Sequence, residues 1–182
     1  MEDSLLQGAK KLDRSVLAEI YDRYSTGIYD YAMRLLGDVK LAEDCVSETF
    51  SKFLRALHEG KGPRDYLQAY LYRIAHNWIT DIYRAGWREM DALDEQVRDQ
   101  SSKHPAHIAD EHFRQESLRK ALAQLTEEQR QVIVLKFLED WDNDAIAKSV
   151  RKPVGAVKAL QHRGLNTLRR ILEKEEAGYE GQ

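Results

Sequence analysis

The sequence predicts an all-α protein built as two small helical domains joined by a flexible linker. Three observations predict it. Apolar residues recur at spacings of three and four along most of the chain, the period of helices with one buried face. Only three prolines and ten glycines interrupt its 182 residues. Between them, residues 91–112 break the period with six acids, two bases, Pro105 and few apolar side chains. Such a segment buries too little surface to offset its ordering entropy. The domains expected are therefore 1–90 and 113–182, with 91–112 as an acidic linker.

In the first half, Ser15–Leu36 reads as a helix with Leu17, Ile20, Tyr21, Tyr24, Ile28, Tyr31 and Leu35 inward, and Gly27 as a point of bending. Gly37-Asp38 stops it. A second helix runs over Val39–Leu57, with Ala42, Val46, Phe50, Phe53 and Leu57 as its apolar stripe. Asp44, Ser47, Glu48 and Ser51 form a separate polar stripe. The glycines and proline of Glu59–Pro63 make a loop. A third helix covers Asp65–Arg84, with Leu67, Leu71, Ile74, Trp78 and Ile82 facing the core.

In the second half, Phe113–Ala123 is one helix. Thr126 caps the next, and Glu127 and Glu128 in its first turn suit the helix dipole. Asp142 or Asn143 caps a short helix over Ala145–Val150. Arg151-Lys-Pro153 is a turn, and Val154 opens a long helix to Glu175. Val157, Leu160, Leu165, Leu168 and Leu172 are its expected core positions.

Composition narrows the function. An apolar fraction of 42% supplies a core and a charged fraction of 32% a soluble surface. Cys45 is alone, so no disulfide framework or thiolate metal site is expected. Glu2, Asp3, Lys10, Lys11, Asp13 and Arg14 argue against a signal peptide. No apolar run approaches the ~20 residues of a membrane span. The reducing cytoplasm is the expected setting, without membrane insertion. His104, His107 and His112 fall in the linker, which lacks the fixed support a metal needs. No nucleophile–base arrangement or glycine-rich phosphate loop argues for an enzyme or a cofactor.

Charge is distributed unevenly. Lys148–Arg170 carries seven basic residues and no acid, in a chain of net charge −3. Glu127–Asp144, just before it, is rich in acids. The basic stretch coincides with the helix-turn-helix pattern, with Lys158, Gln161, His162 and Arg163 outward. Arg pairs bidentately with guanine and Gln with adenine, while Lys holds phosphates. The same pattern also fits a solvated helix that touches nothing. In the first half, Tyr66, Tyr70, Tyr72, Trp78, Tyr83 and Trp87 interleave with Arg73, His76, Asn77, Arg84 and Arg88. Rings with cations suit single-stranded DNA, and they also suit a core.

These segments together resemble the bacterial sigma-70-type sigma factors. Leu41-Ala-Glu-Asp-Cys-Val-Ser-Glu-Thr-Phe50 is similar to their region 2 core-binding helix. Tyr70-Leu-Tyr-Arg-Ile-Ala-His-Asn77, with Asp81 and Arg84, is similar to the promoter-melting helix. Leu125-Thr-Glu-Glu-Gln-Arg-Gln-Val-Ile133, Ala145-Ile-Ala147 and Val154-Gly-Ala-Val-Lys-Ala-Leu-Gln-His-Arg163 are similar to region 4. Two regions and a short linker are the layout of the extracytoplasmic-function (ECF) group.

The resemblance implies a subunit that binds core RNA polymerase and promoter DNA. Asp44, Ser47, Glu48 and Phe50 match positions that meet the β′ clamp helices. Arg64 in the loop and Tyr72, Arg73, His76 and Asn77 match the −10 surface, with Arg84 and Arg88 on nearby phosphates. Arg151, Lys152, Lys158, Ala159, His162 and Arg163 match the −35 surface, and the outer face of region 4 would meet the β flap. An anti-sigma factor is an implied partner. Ser47 stands where glutamine is frequent, and Ala159-Leu160-Gln161 replaces a commoner serine-arginine-leucine. Two other readings remain from the residues alone: a dimeric helix-turn-helix regulator, and an interaction adaptor without DNA binding.

Overall fold

The computed structural model describes residues 2–86 and 106–179, and every regular element among them is an α-helix. The first, α1 (Glu2–Lys10), was not expected from the sequence. It buries only Leu5, Leu6 and Ala9. Its Glu2 carboxylate accepts the backbone N–H of Gln68 at 3.1 Å, serving a helix start that its own cap residue leaves unserved.

α2 (Arg14–Leu36) is capped by Asp13, which accepts the Ser15 N–H at 2.9 Å. It ends at Gly37, whose φ of 68° closes the helix in the left-handed region. Gly27 does not interrupt it. A Cβ there would lie 2.6 Å from the Tyr72 hydroxyl, so this glycine permits close approach. Tyr21, expected inside, is 48% exposed.

α3 (Val39–His58) starts where Asp38 accepts the Leu41 N–H at 2.8 Å, and its five expected stripe residues are buried. α4 (Leu67–Arg84) starts after the expected Asp65, because Tyr66 adopts a φ of 50° that ends the loop outside helical space. α4 is buried on two sides. Leu67, Leu71, Ala75 and Ile79 face α2 and α3, and Ala69, Tyr72, His76 and Thr80 make a second buried row. Trp78, expected in the core, is only half-buried.

α5 (Ala106–Ala123) begins ahead of the expected Phe113, so 106–112 of the expected linker is helix. The rest of that linker lies outside the described residues, as do Trp87 and Arg88. α6 (Glu127–Phe137) opens on a capping box, with Thr126 Oγ1 accepting from Gln129 N at 3.3 Å and Gln129 Oε1 from Thr126 N at 3.4 Å. A cap of this kind contributes about 1 kcal/mol. α7 (Asn143–Val150) is capped by Asp142 and ends at Arg151, whose φ is 55°. α8 (Val154–Tyr179) packs on α6 and α7 through Val157, Leu160 and Leu168. Gly164 lets Ile133 approach, since a Cβ there would meet Ile133 Cγ1 at 2.8 Å. Leu165 and Leu172, expected inside, are 44% and 39% exposed.

The two halves are not held apart. α7 packs against α4 and α5 against α2, so the second domain rests on the second buried row of α4. No helix among the described residues is long and apolar enough to cross a membrane.

Candidate nucleic-acid interface

Three surfaces follow from these helices. The first is on α3, where residues at spacings of three and four share one side. Asp44, Ser47 and Ser51 are exposed, and Glu48 is half-exposed and paired with Lys52 at 3.3 Å. Phe50 lies behind them, 8% exposed, with its ring 4.8 Å from Tyr21. The aromatic that reaches solvent is therefore Tyr21, and Leu54, at 38% exposure, lies on α3 four residues after Phe50. Sequence reasoning placed Tyr21 in the core and passed over Leu54. Leu54 was visible as an apolar residue off the buried stripe. The surface combines carboxylates with exposed apolar groups and suits a protein partner that brings cations.

The second surface is the loop before α4 and the row Ala69, Tyr72, His76 and Thr80. Arg64 and Asn77 are exposed. Arg73 is half-buried, with its guanidinium 5.3 Å from the Tyr70 ring centroid. Burial, then the charge of Arg151, lowers its pKa from the ordinary arginine value. Tyr72 and His76 are each 4% exposed. The Tyr72 ring has Tyr31 at 5.4 Å and Trp141 at 4.8 Å as ring neighbours. His76 Nδ1 is 2.8 Å from the Tyr31 hydroxyl and Nε2 is 3.4 Å from Thr80 Oγ1. Burial, then the charge of Arg130, pushes the His76 pKa down to about 3, so this ring is neutral. Arg84 is exposed; its Nε donates to Glu127 Oε1 at 2.8 Å, and its Nη2 lies 2.7 Å from the same oxygen. Arg88 is outside the described residues.

The third surface is the helix-turn-helix. Gln161 Nε2 donates to Asn143 Oδ1 at 2.6 Å and ties α8 to the start of α7. Gln161 thus holds the unit together, where the sequence placed it among the outward readers. Lys158, Ala159, His162 and Arg163 are exposed on one side of α8. Arg151 is exposed at the turn, and Lys152 is half-buried and paired with Glu128 at 2.9 Å. A row of exposed cations on a second helix has the shape and charge that a major groove accepts. His112 is exposed on α5, while His104 and the side chain of His107 lie outside the described residues.

Contacts cross between the second and third surfaces. Trp141 packs on Tyr72 with the ring planes tilted by 57°, and the Arg130 guanidinium sits 4.1 Å from the Tyr83 centroid. Lys148 Nζ is 3.8 Å from the Tyr66 centroid, and Ser149 Oγ donates to the Ala69 carbonyl at 3.4 Å. Arg34 Nε meets Glu139 Oε1 at 2.9 Å. Burial raises the Glu139 pKa, and Arg34 acts against that shift. A ring pair contributes about 0.5–1.5 kcal/mol and a cation over a ring about 0.5–2 kcal/mol. A groove of about 480 Å³ at this junction is lined by Lys61, Arg64, Arg73, Lys148 and Arg151, with Asp65 and Tyr66 among its other walls.

Comparison with known proteins agrees with this layout. The family described as Sigma-70 region 2 matches residues 20–89, and Sigma-70, region 4 matches residues 115–168. The chain is 31% identical over 163 residues to the ECF RNA polymerase sigma factor SigX of Bacillus subtilis, covering 85% of this chain and 82% of that protein. It is 30% identical over 175 residues to SigL, an ECF RNA polymerase sigma factor of Mycobacterium tuberculosis, covering 93% and 96%. In fold it is similar to CnrH, solved in complex with the cytosolic domain of CnrY, with a TM-score of 0.68, 19% identity and coverage of 95% and 97%.

Proposed function

The chain belongs to the ECF sigma factors of the sigma-70 family, and from that premise we propose that it is the promoter-specificity subunit of a bacterial RNA polymerase. It binds core polymerase, recognises the −35 element as duplex and opens the −10 element. On this reading it is not an enzyme, since the polymerase supplies the chemistry, and it works in the cytoplasm.

Each step draws on a different surface. Asp44, Ser47 and Glu48, with Tyr21 and Leu54 beside them, dock on the cationic β′ clamp helices, with Phe50 holding Tyr21 in place from behind. Lys158, Ala159, His162 and Arg163 enter the −35 major groove, and Arg151 and Lys152 contact its phosphates. The outer face of region 4 meets the β flap. At −10, Arg64, Arg73, Asn77, Arg84 and Arg88 hold the separated strand, and Tyr72 and His76 line the site for an unstacked base. Unstacking costs a few kcal/mol, which binding to core and to −35 offsets. An anti-sigma factor is a further partner: a protein that seizes either surface stops initiation. CnrH, the similar fold, was solved with CnrY bound.

The observation that most supports this reading is the separation of the surfaces. An acidic and apolar face on α3 and a cationic recognition helix lie on different domains of one chain. A simple repressor has no use for the first. Footprinting on a cognate promoter tests it. With core polymerase, protection spans −35 to −10; the chain alone leaves little. Protection of a palindrome by the chain alone would instead indicate a dimeric regulator.

A further inference from the structure

We infer that region 4 carries an internal mimic of the −10 strand and that it occupies the −10 surface of region 2 in the free chain. This rests on the −10 role proposed for α4. The acid-rich stretch Glu127–Asp144 has no part in that function, yet it supplies the groups that cover α4. Trp141 is 8% exposed and packs on Tyr72, with ring centroids 4.8 Å apart and planes tilted by 57°, where the ring of a captured base would sit. Glu127 takes Arg84 through two nitrogens, as a phosphate would. Glu139 pairs with Arg34 through a single nitrogen, Nε at 2.9 Å. An aromatic ring and two carboxylates thus present to region 2 the kinds of group that a base and its phosphates would bring.

The placement is selective. Tyr72 and His76 are closed off, while Asp44 and Ser47 on α3 stay exposed. The free chain can therefore dock on core before its −10 surface is released. Premature capture of single-stranded DNA is suppressed until region 4 is drawn away by its own partners on polymerase and promoter. This also gives the acidic stretch a physical reason to adjoin the basic one: the first closes the chain and the second reads DNA once it opens.

The full-length chain tests this in two ways. Glu127→Lys with Trp141→Ala removes a carboxylate and the ring. Small-angle X-ray scattering should show a larger radius of gyration than for the parent. Affinity for a fluorescent random-sequence single-stranded oligonucleotide should rise by roughly tenfold, the worth of one stacked base. In the second, Ala69→Cys with Ser149→Cys joins positions already in contact; the native Cys45 is buried, and burial raises its pKa to about 12, so it does not compete. The oxidised chain should bind the oligonucleotide no better than the parent and lose promoter-specific transcription with core, and reductant should restore transcription. An unchanged radius in the first variant, or equal transcription by oxidised and reduced forms of the second, overturns the inference. A first variant that opens in scattering yet gains no oligonucleotide affinity refutes strand capture by α4, and with it the masking, while showing that region 4 had been seated there.

Discussion

Gly27→Ala isolates the close approach that seats Tyr72. Glycine to alanine inside an exposed helix normally stabilises by about 1 kcal/mol, because alanine loses less backbone entropy. Gly27 lies within the continuous helix α2, so that gain is available. The new Cβ, however, would lie 2.6 Å from the Tyr72 hydroxyl oxygen, with the next ring atom at 3.8 Å. The ring has little room to turn away, since Tyr72 is 4% exposed and the Tyr31 and Trp141 rings lie 5.4 Å and 4.8 Å from it. Overpacking of this kind costs about 1–3 kcal/mol. The net expectation is a loss of about 1 kcal/mol, the middle of that cost less the propensity gain. Tyr72→Phe removes the clashing oxygen and leaves an ordinary contact. In that background Gly27→Ala should stabilise by about 1 kcal/mol, for a coupling of about 2 kcal/mol across the cycle. Urea unfolding of the four proteins measures it. Equal stabilisation in both backgrounds would refute the account of Gly27 and of how Tyr72 is held.

Three further outcomes are expected. Asp44→Arg with Glu48→Arg should abolish co-purification with core polymerase while unfolding of region 4 is unchanged; retained binding removes that role from the α3 face. Reversing Lys158 or Arg163 to Glu should cost about 1–3 kcal/mol per lost base contact in −35 duplex binding, measured by fluorescence anisotropy with the holoenzyme. Undiminished affinity would assign −35 recognition elsewhere. The third concerns pH. His76 titrates near 3 when folded and near 6.5 when free, so between these values the unfolded chain binds the extra proton. Stability therefore falls as pH drops below about 6.5, by up to about 1.4 kcal/mol per unit from this group. The raised Glu139 pKa acts in the opposite sense at lower pH, because there the folded form takes the proton first. Chemical denaturation of the parent and His76→Gln between pH 7 and 5.5 separates the two effects, with the steeper loss in the parent. Parallel curves would show that His76 is not held neutral.

Local signals made most of the helices legible. Thr126 is a cap residue and caps a helix as read. Of Asp142 and Asn143, the two residues read as possible caps of the next, Asp142 is the cap and Asn143 already opens the helix, two residues before the expected Ala145. The α3 stripe at Ala42, Val46, Phe50, Phe53 and Leu57 is buried because one face of that helix meets one core. α1 escaped notice because Leu5, Leu6 and Ala9 give too short an apolar pattern among charges. α4 shows the limit of periodicity. Its row Ala69, Tyr72, His76, Thr80 has helical spacing but mixed polarity, so a sequence cannot distinguish a ligand surface from a face covered by another domain. Trp141 had no local pattern either, since its partner lies across the domain junction. The helix α8 was easier, because Lys158 and Arg163 are exposed on it as their spacing implies.

Multi-template run-off transcription with purified core enzyme tests the central claim most directly. Added to core, this chain should direct initiation from a subset of a promoter library sharing one −35 and one −10 motif at fixed spacing, and the Asp44→Arg, Glu48→Arg chain should give none. Transcription unchanged from core alone, or equally scattered over the library, would contradict it.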